Sequence, residues 1–160
     1  MENERKNQHD VRREQQFRRL RTRNPKCHIC GETDAAALTS TDGDIICYEC
    51  QAEARGKSPV EKHHYAGQHN DSFRIPVPGN DHRVLSDNQR DWPNETLRNP
   101  NGSPLLKAAA SLRGWLDILR LLIERILGWI PEYLEQLDAY LTTINGQRWW
   151  VNPDPKGEIG

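Results

Sequence analysis

Four cysteines in two tight pairs constrain this chain more than any other feature. Cys27-His28-Ile29-Cys30 and Cys47-Tyr48-Glu49-Cys50 each leave two residues between their sulfurs, and sixteen residues separate the pairs. Two intervening residues let one turn present both sulfurs to a single ion, and Zn²⁺ takes four such ligands tetrahedrally. Gly31, straight after the first pair, suits a backbone turn that other residues resist. Between the pairs, residues 39–46 read as a turn and a strand, with Asp42-Gly43 as the hairpin signal. Residues 51–55 read as a helix start. Knuckle, hairpin, knuckle and helix together describe a treble-clef or ribbon zinc module over residues 25–57. Four unrelated thiols or two disulfides are the rival readings, and the paired spacing argues against both. His28 could replace one cysteine, but four thiolates already complete the shell. A closed shell makes the expected zinc structural.

A metal is also what the composition calls for. Only 35% of the 160 residues are hydrophobic and 28% are charged, which is little apolar material for one well-packed globule. The net charge of -1 is unevenly spread. Residues 1–26 carry nine basic against four acidic side chains, a net of +5. Such an arm, with Arg18, Arg19, Arg21 and Arg23 at its end, suits contact with phosphates, or else is a solvated tail. The opening residues Met1–Arg5 are polar with no apolar stretch behind them, so no signal peptide is expected. No apolar run spans a bilayer, and the expectation is a soluble, cytoplasmic protein in which cysteines bind metal.

The chain divides by pattern into a basic helical arm (1–24), the cysteine module (25–57), a histidine-bearing segment (58–92), a Pro/Asn/Gly-rich linker (93–104), an amphipathic helical region (105–145) and a polar tail (146–160). Asn24-Pro25 closes the arm, because the residue before proline avoids helix. In the helical region Arg113, Asp117, Arg120 and Glu124 form one polar stripe, while Leu112, Trp115, Leu116, Leu119, Leu122, Ile123, Ile126 and Ile130 fill much of the remaining surface. Pro131 restarts or kinks the helix, giving a helical hairpin or one long kinked helix. So wide an apolar surface must pack on the rest of the chain, on a second copy or on a partner. The mixed signs of its charges argue against a membrane-surface helix.

The chemistry lies between residues 60 and 86. His63 and His64 are adjacent, and neighbours on a strand point to opposite faces. His82 precedes a helix expected over residues 81–90, and strand, loop, strand and helix can return it to His63. Phosphodiester hydrolysis needs a base for water and a cation for the developing charge. In this arrangement His64 is the base, while His63 and His82 bind a divalent ion whose shell water and phosphate complete. Neutral imidazole near physiological pH suits the first task, and a hard or borderline divalent ion suits the second.

The Glu-x-His-His element at residues 61–64, the Gly67-containing loop and the Asn80-x-His82-Arg83 stretch resemble the HNH endonucleases, the His-Me finger or ββα-metal nucleases. An upstream cysteine module is common in phage and bacterial members of that family. The Ala66-Gly67 pair and Val77-Pro78-x-Asn80-x-His82-Arg83 resemble one small branch of it, and the resemblance covers residues 25–92. It implies an α+β fold in which the zinc module is followed by a ββα-metal motif, and it implies cleavage of DNA more than RNA. The implied cofactors are structural Zn²⁺ and a catalytic Mg²⁺, Mn²⁺ or other divalent ion. His63 matches the first metal-binding histidine, His64 the general base and His82 the helix-borne ligand. Glu61 matches the acidic residue that supports the site. The asparagine that braces the loop behind the base has two candidates, Asn70 and Asn80. The chain departs from the pattern at Gly79-Asn80-Asp81, where many members carry a cysteine pair.

Arg74, Arg83 and Arg90 are candidate phosphate contacts. Trp92 is expected to pack over a small core, and Trp149-Trp150 to make a packing or partner contact. The expected protein is a nuclease whose residues 105–145 form a homo-oligomer or join a larger complex. The rivals are a zinc-stabilised nucleic-acid-binding module without catalysis and an adaptor acting through its C-terminal helices.

Overall fold

The structure is a computed structural model that describes residues 2–41 and 43–151, with side chains described from Asp10 onward. Part of the basic arm (the side chains of Arg5 and Lys6), the turn residue Asp42 and the tail beyond Val151 lie outside the described residues. The chain is mixed α+β, and its compact units divide between Leu121 and Leu122.

The first unit opens with helix α1 (Glu2–Leu20). It stops four residues before Asn24-Pro25, because Arg21 adopts φ 57° and turns the chain out of the helix. Phe17 and Leu20 then pack on Cys27, Leu38, Cys47 and Cys50. The arm is thereby docked on the cysteine module, and the expected phosphate grip is partly spent within the fold. Arg19 Nη2 donates to the Leu38 carbonyl at 2.7 Å, and Arg12 pairs with Asp87 and Asp91. Strands β1 (Leu38–Thr41) and β2 (Asp44–Cys47) form an antiparallel hairpin with Thr41 opposite Asp44, the register of a two-residue turn. Gly43 supplies the positive φ such a turn demands, 94°. Helix α2 (Tyr48–Ala54) starts directly after the hairpin. Cys47 serves as its N-cap, with its sulfur accepting from the Cys50 amide at 3.4 Å.

A second antiparallel hairpin follows, β3 (Val60–His63) and β4 (Ile75–Pro78), with His63 opposite Ile75. Helix α3 (Gly79–Gln89) leaves β4 without a loop, two residues earlier than the expected start at Asp81. Val84 and Leu85 on α3 bury with Ala37 and Leu121. The early start depends on Gly79, whose amide donates to the Pro59 carbonyl at 2.7 Å. A Cβ there would lie 2.8 Å from the Tyr48 ring.

Residues 93–104, expected to be a linker, are built into this unit. They hold helix α4 (Asn94–Arg98), Thr96 and Asn99 are buried, and Leu97 packs beside Ala66, Trp92 and Ala110. Asn99 caps α4 in the left-handed region at φ 39° and exchanges two hydrogen bonds with Ser103. Its turn-forming residues signal chain reversal, which a buried loop needs as much as an exposed one. Helix α5 (Pro104–Leu127) turns Ala110, Gly114, Asp117 and Leu121 inward. Trp92 is buried as expected, and its indole N–H donates to Asp117 at 2.9 Å. On the far side of α5, Leu112, Trp115, Leu116 and Leu119 are exposed.

In the second unit α5 ends at Leu127, and α6 (Ile130–Asn145) restarts with Pro131 in its first turn. That is where proline's missing N–H costs nothing. Helix α6 has no buried residue, and Tyr133, Leu134, Tyr140 and Ile144 are exposed. Trp149 donates to Asp138 at 2.9 Å and meets Trp150 edge-on. No helix among the described residues is long and apolar enough to cross a membrane.

Candidate metal centre and histidine cleft

The ligand atoms of Cys27, Cys30, Cys47 and Cys50 all lie within 4.8 Å of one another. Four sulfurs at the usual Zn–S distance of about 2.3 Å would stand about 3.8 Å apart, so the cluster has the dimensions of a tetrahedral thiolate site. Cys27 Sγ accepts the Cys47 amide at 3.3 Å, a bond that also ties the two knuckles together. Burial pushes the Cys27 thiol up, but amides of Cys30, Cys47 and Ile29 outweigh it and lower its pKa to about 6. Burial and the neighbouring sulfurs push Cys50 upward, and burial raises Cys30. The Cys27 thiolate forms readily, while Cys30 and Cys50 need a cation to offset the charge they would bring. The structure therefore holds a four-cysteine cluster compatible with structural zinc. His28 faces away from it, with Nδ1 3.1 Å from the Ile45 carbonyl.

The three histidines converge at a separate place. His63 ends β3, His64 follows it, and His82 stands in the first turn of α3. The rings of His63 and His82 lie 5.2 Å apart, edge to face at 82°. Both line a cleft of about 350 Å³ together with His64, Gln89, Arg90 and Arg98. His63 is buried, and burial first, then the His82 and His64 charges, lowers its pKa to about 4. It is neutral at physiological pH, and its Nε2 faces the Gln89 amide at 3.3 Å. Burial lowers His82 as well, against the pull of Glu61. His82 Nδ1 stands 2.8 Å from Glu61 Oε2, so Nε2 is the ring nitrogen that could meet an ion. A carboxylate behind a ligating imidazole fixes its tautomer and ring orientation. His64 Nδ1 is 3.3 Å from the Asp71 carbonyl, so that its Nε2 is the basic nitrogen. Among the described residues, the cysteines are the group of three or more potential ligands whose atoms draw together so closely. The histidine pair therefore offers an ion two protein ligands and open positions.

The two asparagines part company. Asn70, buried in the loop after His64, donates to the Thr96 carbonyl at 2.8 Å and to the Leu97 carbonyl at 3.4 Å. Asn80 Oδ1 accepts from the Glu49 backbone amide at 3.1 Å, and the Asn80 backbone N–H donates to the Glu49 carboxylate at 2.9 Å. It thus joins α3 to the cysteine module, outside the cleft lining. Its side-chain oxygen is taken by the Glu49 amide and its side-chain nitrogen stands 3.4 Å from Glu32, so its contacts run to the cysteine module. Arg83 is also engaged, 3.4 Å from Glu61 and stacked 3.8 Å over Tyr48. Arg74 lies exposed outside the cleft lining, while Arg90 lines the cleft.

Several residues of the site lack a short-range signature. Gln89 Nε2 sits 2.7 Å from the His64 carbonyl, 3.2 Å from that of Tyr65 and 3.3 Å from His63 Nε2. It clamps the paired histidines to α3. Its spacing from His82, two helical turns on the same face, is the one signal that could have found it. Arg98 reaches the cleft only because α4 folds beneath it. Comparison with protein-family models, curated proteins and solved structures finds no match for the chain.

Proposed function

We propose that this protein is a metal-dependent HNH-type endonuclease that hydrolyses phosphodiester bonds in DNA. The observation that carries the reading is the approach of His63 and His82, two neutral imidazoles edge to face at 5.2 Å, with His64 in the same cleft. A divalent ion on His63 and His82 would neutralise charge on the phosphate and the leaving oxygen. His64, held through Nδ1 by the Asp71 carbonyl, takes the proton of the attacking water at Nε2. Glu61 holds His82, and Asn70 ties the loop behind His64 to α4. Arg90 and Arg98 line the same cleft and suit a phosphate backbone. The cysteine cluster holds zinc as a structural ion.

The outward stripe of α5 suits a second copy of the chain. Leu112 and Leu119 are seven residues apart, as are Leu116 and Ile123, the spacing of a helix–helix seam. The same stripe supports an adaptor reading in which these helices are the working surface.

Nicking of supercoiled plasmid with Mg²⁺ or Mn²⁺ tests the enzyme reading, with zinc measured on the same sample. His64→Ala is expected to lower the rate about 10²–10⁴-fold, the usual worth of a positioned base. Equal rates for the two proteins would remove His64 as the base. A metal-loaded wild-type chain that binds DNA without cutting it would leave a binding module.

A further inference from the structure

Tyr48 belongs to the second cysteine pair by sequence, yet its hydroxyl points away from the sulfurs. It donates to Glu61 Oε1 at 2.7 Å, while Glu61 Oε2 stands 2.8 Å from His82 Nδ1. One peptide unit therefore separates the sulfur-bearing Cys47 from a chain of polar contacts, a Tyr48–Glu61 hydrogen bond and then a Glu61–His82 ion-pair contact, that ends on an imidazole of the cleft. The ring itself is held from several sides. The Tyr48 amide donates to the Ala37 carbonyl at 3.0 Å. The Arg83 guanidinium covers the ring at 3.8 Å. Gly79, at the start of the helix that carries His82, lies so close beneath the ring that a Cβ there would come within 2.8 Å.

The division of contacts on Glu61 gives the arrangement its meaning. Tyr48 and Arg83 both engage Oε1, at 2.7 and 3.4 Å. That leaves Oε2 directed at His82. A carboxylate free to rotate would share its oxygens between the arginine and the histidine. One pinned by a phenol keeps the Nδ1–H form of His82 and so keeps Nε2 for the cleft.

We propose that Tyr48 is a positioning residue through which the cysteine module sets the His82 imidazole, making divalent-ion binding in the histidine cleft depend on the order of that module. Only the catalytic readout of this proposal rests on the nuclease reading. The full-length chain is compared with Tyr48→Phe, which keeps the ring and the Arg83 stack, and with Glu61→Gln. Zinc content and thermal midpoint are measured first, then Mn²⁺ affinity by electron paramagnetic resonance, the His82 tautomer by ¹⁵N NMR, and nicking kcat and KM. Tyr48→Phe is expected to keep its zinc, weaken Mn²⁺ about 10-fold, mix the His82 tautomers and lower kcat with KM for DNA unchanged. Adding Glu61→Gln should then cost little more, since both changes break one chain. Wild-type Mn²⁺ affinity and tautomer in Tyr48→Phe would overturn the proposal, and so would loss of zinc, which would make Tyr48 a part of the cysteine fold alone. A chain that never nicks, but whose tautomer still answers to Tyr48, would sink the nuclease reading and leave the coupling standing.

Discussion

Gly114→Ala tests how the histidine loop is seated. In an exposed helix interior this substitution stabilises by about 1 kcal/mol, because alanine loses less backbone entropy. Gly114 is buried on the inward face of α5, and a Cβ there would stand 2.6 Å from the Tyr65 carbonyl carbon and 3.1 Å from its ring. Ordinary carbon contacts are about 3.5–4.0 Å, and the Tyr65 carbonyl oxygen lies nearer still to that Cβ, so the backbone of α5 or of residues 64–66 must retreat by more than about 1 Å. Overpacking of this kind costs about 1–3 kcal/mol, and here backbone meets backbone, where no rotamer change relieves it. Retreat also loosens Ala110 against Ala66 and Trp92. Taking about 3 kcal/mol for the clash against about 1 for propensity leaves a net loss of about 2 kcal/mol. In a chain of this length that lowers Tm by about 4–8 °C. Tyr65 follows His64, and its carbonyl also receives Gln89 at 3.2 Å, so nicking should fall further than stability does. Calorimetry of Gly114→Ala beside Ala108→Gly, an exposed site on the same helix that isolates propensity, checks the arithmetic. A Gly114→Ala protein with an unchanged or higher Tm would refute the close approach of α5 to the loop.

His63 makes the fold acid-sensitive: its pKa is about 4 when folded against an ordinary 6.5, so the unfolded chain binds the extra proton and stability drains away as pH falls from about 6.5 toward 4. The loss reaches about 2 kcal/mol at about pH 5, and urea midpoints should show it in wild type but not in His63→Asn; parallel pH profiles would refute the assignment. One zinc ion per chain is expected, and stripping it with a strong chelator should unfold the module around Leu20, Leu38 and Cys47, since structural zinc supplies about 10–16 kcal/mol of apparent binding energy. A chain that keeps its Tm in chelator would make the four cysteines ordinary core residues. Light scattering should find the 18.5 kDa chain as an oligomer that Leu116→Glu with Leu119→Glu reduces to monomer, and a monodisperse wild-type monomer would remove the pairing of α5 stripes.

What could be read from the sequence, and what could not, follows from the range of each interaction. The cysteine pairs, the two-residue turn before Asp44 and the break before Pro131 are local events, fixed by residues within a few positions of one another. The meeting of His63 with His82 was also within reach, because two short strands and a helix leave few ways to connect them. Asn80 shows where this stops. It stands two residues before His82, where a brace for the base would be sought, but the helix turns its amide toward Glu49, thirty-one residues back in the chain. Nothing near position 80 records that partner. Tyr48 is the converse: its place between two sulfurs suggests a filler in a zinc knuckle, and only the packing of α2 on α3 brings its hydroxyl to Glu61. Residues 93–104 misled for a third reason, since asparagine, proline and glycine report how a chain turns and carry no information on what it turns against. Each of these corrections concerns a contact between the cysteine module or the C-terminal helices and the ββα segment. The segment that bears the histidines is therefore not self-sufficient: the Tyr65 turn beside His64 rests on the Gly114 surface, Glu61 beside His82 is held by Tyr48, and the loop at Asn70 is tied to the α4 carbonyls. A fragment limited to residues 58–92 would carry every histidine of the cleft, with Glu61, Asp71 and Gln89 beside them, and lack the Tyr48, Gly114 and α4 contacts that hold those neighbours in place.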